Sequence, residues 1–410
     1  MEAMDIQAVE SKLSDVTVTA IPMSGKNVHK ELGHGGSSHA TISTVPAASP
    51  SSNGKDKDNG TSNINIPWSS KWRWNTAYSA DSVEWCPVES FQDIMVCGTY
   101  QLEKKDEGDQ QPTKQKRLGR IYLFEINQDT SELNPVQTLD TSGILDQKWC
   151  YHTIKGYPVL AVVTSEGLLQ LYQLLGTNGI RNLKLWIEYS IGQDVLALSL
   201  DWSTNKAASD EPMVVVSDSA GSVTLLKIVG AGFQKIETWN SHGFEAWIAA
   251  FDYWNTNVFY SGGDDCLFKS YDVRVPDAAV ITNRAHEAGV TTIRSHADVA
   301  HQLLTGSYDE KARLWDTRSL KRCVSETPVG GGVWRLKWHP TDPGTVLAAC
   351  MYGGFRVLGV NDPEISVLCE YLEHESIAYG ADWKFNQSGL VATCSFYDCS
   401  MHISQIDIIH

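Results

Sequence analysis

Residues 305–318 read TGSYDEKARLWDTR, and the fold follows from how this stretch is read. An apolar run at 302–305 leads into Gly306 and Ser307, and Asp309 stands where a tight turn is needed. Alternating residues then lead to Trp315 and Asp316. Upstream, His286 precedes a second strand-like run at 290–293. These pieces predict antiparallel strands around a buried polar relay. In it His286 bonds Asp309, Ser307 bonds His286, and the Trp315 indole N–H donates to Ser307. Burying any of these groups unpaired costs about 1–3 kcal/mol. One small sheet of this kind cannot cover both of its faces, so the unit must recur.

It does recur. Inner strands end near a bulky residue at VEWCP (83–87), ILDQKWC (144–150), VLALSLDWS (195–203), IAAFDYW (248–254), VTTIRSH (290–296), VWRLKWHP (333–340) and YGADWKF (379–385). A second apolar strand and a third alternating one follow each, seven times, at a spacing of about 40–65 residues. The His, the turn Asp and the Trp-Asp pair resemble the WD-repeat family, which implies an all-β, seven-bladed WD-repeat β-propeller. Six copies offer a fourth strand, but the seventh ends with the chain. The segment KWRWNT (71–76) supplies the missing strand and closes the ring, which leaves no long open edge. The relay is expected to be complete only in the fifth copy. The fourth has His242, Asp265 and Tyr271-Asp272, and Glu166 and Asp398 take the turn position in the second and seventh.

Residues 1–67 are a different material, rich in Ser, Thr, Gly, Asn and His, and are expected to be a disordered polar tail before a propeller spanning 68–410. Its His29, His34 and His39 are spaced by five, which matches no helix face, and no Cys stands near them, so a metal site is not expected there. Fourteen Trp, fifteen Tyr and 32 Gly in 410 residues suit many short strands and tight turns. Nine scattered Cys without a CxxC pair fit a reducing compartment, and a cytoplasmic location is expected. No apolar run is long enough to cross a membrane, and the N-terminus lacks the pattern of a secretory signal. A net charge of −16 argues against a nucleic-acid partner and favours a cationic one.

In a propeller the fourth-to-first loops and the second-to-third turns share one face, at the mouth of the central channel. SHGFEAWIAAFDYW (241–254) brings His242, Glu245 and Trp247 there, and SGGDDCL (261–267) adds Asp264 and Asp265. A histidine beside carboxylates can activate water, and aromatic rings with acids suit a quaternary ammonium. Glu245, Asp264 and His242 are therefore the candidate catalytic groups, with Arg335 either supporting a developing oxyanion, orienting a carboxylate, or simply pairing with an Asp. Trp247, Asp265, Tyr308 and Tyr379 are candidate substrate contacts. His242 and Asp265 also match the structural relay. The charged insertion at 101–118 reads as a flexible, solvated loop, or else as a lid or partner contact. No G-x-S-x-G elbow, H-E-x-x-H, P-loop or G-x-G-x-x-G after a strand is present.

A narrower resemblance rests on SADSVEWCP, QTLDTSGILDQKW, SHGFEAWIAAFDYW, YSGGDD, GGGVWRLKWHP and YGADW. Together these stretches resemble the WD-repeat diphthine methyl ester hydrolases of the diphthamide pathway, over about residues 77–383. The resemblance implies removal of a methyl ester from methylated diphthine on translation elongation factor 2, by water and without metal or organic cofactor. It implies a protein substrate bearing a trimethylammonium group, and it fixes no catalytic residue. A monomer is expected. The competing reading is a non-catalytic adaptor, in trafficking or in ubiquitin-ligase substrate recruitment.

Overall fold

The computed structural model describes residues 66–103, 116–127, 132–177, 180–387 and 389–407. Residues 1–65 of the expected tail, its three histidines and residues 104–115 of the insertion lie outside these. Among the described residues the chain has no helix, and its strands form seven four-stranded antiparallel sheets. The inner strands are Ser79–Trp85, Ile144–Trp149, Ala197–Trp202, Ile248–Phe251, Val290–Ser295, Arg335–Trp338 and Ala378–Trp383. Each touches the inner strand of the next blade, and the last touches the first. The seventh sheet takes its outer strand from the N-terminal side, where Trp68–Asn75 pairs antiparallel with Ser400–Ile406. This borrowed strand removes the edge that Ser400–Ile406 would otherwise present.

The recurrent Trp is explained by what its indole does. Trp149 donates to the Glu84 carbonyl at 3.3 Å, Trp202 to the Lys148 carbonyl at 3.0 Å, and Trp383 to the Lys337 carbonyl at 3.0 Å. In each case the acceptor is the next-to-last residue of the preceding blade's inner strand. A buried ring thus fills the space between blades, while its N–H stitches them together. The apolar core is accordingly divided into clusters between consecutive blades.

Two expectations are corrected here. The insertion is not a loop at its ends, because Gln101 and Leu102 pair with Leu118 and Arg117 and lengthen a hairpin. The relay also differs. In the fifth blade His286 meets Thr305 Oγ1 at 2.9 Å, and the Trp315 indole donates to that same hydroxyl at 2.8 Å. Ser307 instead donates to the Ala288 carbonyl. Asp309 does not bond His286; it faces Arg313 at 2.8 Å, and both side chains are sealed from solvent. The complete His–Asp relay is in the fourth blade, where His242 Nδ1 lies 2.8 Å from Asp265 and Nε2 2.8 Å from Ser261. The seventh has its own version, with His374 on Ser395 and Thr393 and Ser395 donating to Asp398.

One position on the third strand decides between these versions. Arg313 claims the turn acid in the fifth blade through a charge-assisted bond. Its counterpart Lys269 in the fourth reaches the Ser241 carbonyl instead, leaving Asp265 for the imidazole. Burial first, and then the Arg313 charge, hold the His286 pKa down to about 4. The unfolded chain takes up this proton near pH 6.5, so acidification from there to about 4 favours unfolding through His286. His286→Gln is expected to make the melting temperature fall less steeply across that window, as measured by thermal melts at stepped pH.

Candidate functional site

The mouth of the channel is built by a structural repeat that the linear sequence hides. Counting four residues back from the end of each inner strand gives Asp81, Leu145, Leu198, Trp247, Thr291, Trp334 and Tyr379. In five blades the ladder slips at this point: between Ala80 and Ser82, Ile144 and Asp146, Ala197 and Ser199, Val290 and Thr292, and Ala378 and Gly380. The skipped residue is a bulge, which re-aims its side chain. Trp247 and Trp334 sit one residue ahead of their strands.

An arc of aromatic rings runs from this ring of positions around the rim. Trp247 lies edge-on to Tyr308 at 6.2 Å and to Trp334 at 5.8 Å between centroids. Trp334 continues to Tyr379 at 4.7 Å, and Tyr379 to Phe396 at 5.0 Å. Phe396 reaches Tyr100 in the first blade at 6.1 Å. Two acids join the arc. Asp264 accepts the Trp247 indole N–H at 3.2 Å, and its backbone N–H donates to the Glu245 carbonyl at 2.9 Å. The Tyr308 pKa is pushed well up, first by burial and then by the Asp264 and Glu245 charges. The Tyr308 hydroxyl and the Trp334 indole N–H are both buried with no hydrogen-bond partner among the described residues. Polar atoms are rarely left so in a native structure without reason.

The structure therefore brings Glu245, Asp264, Trp247, Tyr308 and Tyr379 together at one mouth. It does not add His242 or Asp265. Both His242 ring nitrogens are occupied and its side chain is fully buried, while Asp265 also caps the Gly243 and Leu267 N–H groups. Burial lowers the His242 pKa and Asp265 opposes that. These two hold the turn that presents Asp264.

Arg335 turns into the channel. It meets Asp146 of the second blade at 3.3 Å, across the ring. Deeper in, Lys337 bridges Glu84 and Asp382, Arg294 faces Asp201 at 3.7 Å, and Lys148 bonds Asp146. Burial first, and then Glu84, push the Asp382 pKa up to about 7 against the pull of Lys337. A cavity of about 220 Å³ opens at the other end of the channel, lined by Tyr151, Tyr253, Arg294, Lys337, Asp382 and Phe385 among others. Its polar groups already satisfy one another: Arg294 donates to the Tyr151 hydroxyl at 2.9 Å and the Tyr253 hydroxyl to Asp201 at 3.1 Å. The Tyr308 hydroxyl and the Trp334 indole N–H, by contrast, stand unsatisfied at the aromatic mouth, which makes the mouth the better candidate. Sequence reading missed Trp334, Phe396, Tyr100 and Asp81. Setting EAWI (245–248) against GVWR (332–335) would have revealed Trp334.

No helix of the described residues is long and apolar enough to cross a membrane, and no cluster of potential metal ligands occurs among them. A family profile described as "Cyclin-dependent kinase 2-associated protein" matches residues 1–35, outside the described residues. A chain in the crystal structure of the mitotic checkpoint complex superposes with a TM-score of 0.64 at 14% identity. That match covers 88% of this chain and 98% of that one, and it bears on the fold alone. Curated relatives say more. The chain is 41% identical over 333 residues to a human protein named diphthine methyltransferase, covering 76% of this chain and 74% of that protein. It is 37% identical over 369 residues to the diphthine methyltransferase homolog of Dictyostelium discoideum, covering 80% of this chain and 96% of that protein. On the strength of these matches, the chain belongs to the diphthine methyltransferase family of WD-repeat propellers.

Proposed function

We infer that this protein hydrolyses the methyl ester of methylated diphthine on translation elongation factor 2, releasing methanol and leaving the carboxylate needed for diphthamide. The observation that carries this reading is the aromatic arc closed by Glu245 and Asp264. A trimethylammonium group is a large, weakly hydrated cation, and ring faces with nearby carboxylates are the surroundings that attract it. In this assignment Trp247, Tyr308, Trp334 and Tyr379 enclose the methyl groups, and Glu245 and Asp264 supply the opposite charge. The relatives' name speaks of a methyl group moved on diphthine, and attack of water on the ester carbonyl, with methoxide leaving and taking up a proton as methanol, is the direction that this site suits. The protein works in the cytoplasm, as a monomer, on a protein substrate.

The test is direct. Purified protein mixed with methylated elongation factor 2 is expected to release methanol and leave the substrate lighter by one methylene. Unchanged substrate at stoichiometric protein would favour the adaptor reading. A heavier product formed only with a methyl donor would reverse the direction of the chemistry.

A further inference from the structure

Every other acid of the channel ring has a cationic partner. Asp146 has Lys148 and Arg335, Asp201 has Arg294, and Glu84 and Asp382 share Lys337. Among the described residues Asp81 has no ion pair and no hydrogen-bond donor on its Oδ1, and it is 3% exposed. Folding a carboxyl into such a place is unfavourable, and structures that do so commonly use the group.

Its position suggests the use. Asp81 is the bulge residue of Ser79–Trp85, at the ring position occupied by Trp334 and Tyr379 in the sixth and seventh blades. Arg335 follows Trp334 directly, and its guanidinium, anchored by Asp146, is the cation that acts most strongly on Asp81. A carboxyl with a buried, unpartnered oxygen and a fixed guanidinium thus lie at the base of the aromatic arc. In the substrate proposed above, the trimethylammonium and the ester are attached to the same carbon. A cation seated among the rings therefore brings its ester to this throat and no further.

We propose that Asp81 is the general base that activates the attacking water, with the ester carbonyl lodged between it and Arg335. The assignment rests on the hydrolase reading and adds its chemistry. Asp81 takes a proton from water as the water oxygen bonds to the carbonyl carbon. The carbonyl electrons move onto oxygen, where Arg335 donates to the oxyanion. On collapse the carbon–methoxy bond breaks, Asp81 returns its proton to the departing methoxide, and methanol leaves. The new carboxylic acid loses its own proton to solvent, and Asp81 is again a carboxylate. Glu245 and Asp264 recognise the cation and take no proton.

The pH profile should bear the mark of this residue. Burial first raises the Asp81 pKa well above the usual carboxylate range, with Arg335 opposing and Asp146 adding to the rise. The Cys394 thiol also faces it from the seventh blade. A base must be ionised, so turnover should climb with pH along a limb displaced upward from ordinary carboxylates.

The experiment compares wild type and Asp81→Asn on methylated elongation factor 2, with the wild-type pH profile alongside. Expected are a loss in kcat of about 10²-fold or more, a KM changed by little, a melting temperature equal or higher, and an upward-displaced acidic limb. If Asp81→Asn does not fold, Asp81→Glu and the wild-type pH limb carry the test, since a displaced carboxylate should lower kcat while keeping the limb. Full turnover by the Asn variant, or a profile that falls with pH over this range, overturns the role of Asp81 and leaves the hydrolase standing. Wild type that releases no methanol overturns both.

Discussion

Asp309→Ala is expected to destabilise the propeller by about 3 kcal/mol, read as a lower denaturant midpoint at unchanged slope. The sequence alone suggests a smaller effect, through a histidine left without its partner. The structure locates the loss elsewhere. Asp309 neutralises Arg313 at 2.8 Å, in a pair whose two side chains are shut off from solvent. Its oxygens also accept the Glu287 and Lys311 backbone N–H groups. Removing it strands a buried guanidinium, and the Glu326 carboxylate at 2.8 Å offsets only part of that because it is half-exposed. The mechanism has a signature. Arg313→Met in the Asp309→Ala background should recover much of the lost stability, because the charge that needed a partner is gone. If the double variant is no better than the single, the loss does not pass through Arg313.

Glu245→Gln with Asp264→Asn is expected to lower kcat/KM by about 10²-fold, carried mainly by KM, with the fold intact by circular dichroism. Each carboxylate is asked to contribute about 1.4 kcal/mol towards a trimethylammonium, which is tenfold apiece. That is modest for a charge a few ångströms from a cation in a partly buried site. An effect on KM rather than kcat is what cation recognition requires, because the ammonium carries the same charge in the ground and transition states. Unchanged kinetics would remove the acids from the site. A pure kcat effect would make them participants in the proton transfer instead.

The seven repeats could be read because the features that define a blade are local. Alternation along each strand, a turn residue and a closing bulky ring all lie within one repeat, and Trp149, Trp202 and Trp383 show why that ring recurs. Closure could be read for a related reason: a seventh copy without an outer strand and an orphan strand before the first copy leave one pairing that satisfies both. The grouping of Glu245, Asp264 and Trp247 was also legible, because all three lie within twenty residues on adjacent loops of one blade. Two members of the relay were not. Which hydroxyl serves His286, and which base takes Asp309, depends on whether Arg313 or a residue like Lys269 follows on the next strand.

The sequence by itself thus determined the number of blades, the borrowed strand that completes the ring, and the acidic, aromatic character of one rim. Only the tertiary structure decided which charges meet inside the channel. Lys337 and Glu84 stand 253 residues apart, and Arg335 reaches Asp146 from the far side of the ring. A pairing of that kind has no period and no spacing in the chain, because it is set when seven twisted sheets converge on a single axis. The same convergence leaves the Asp81 Oδ1 buried without a hydrogen-bond donor among the described residues, which no single repeat could reveal.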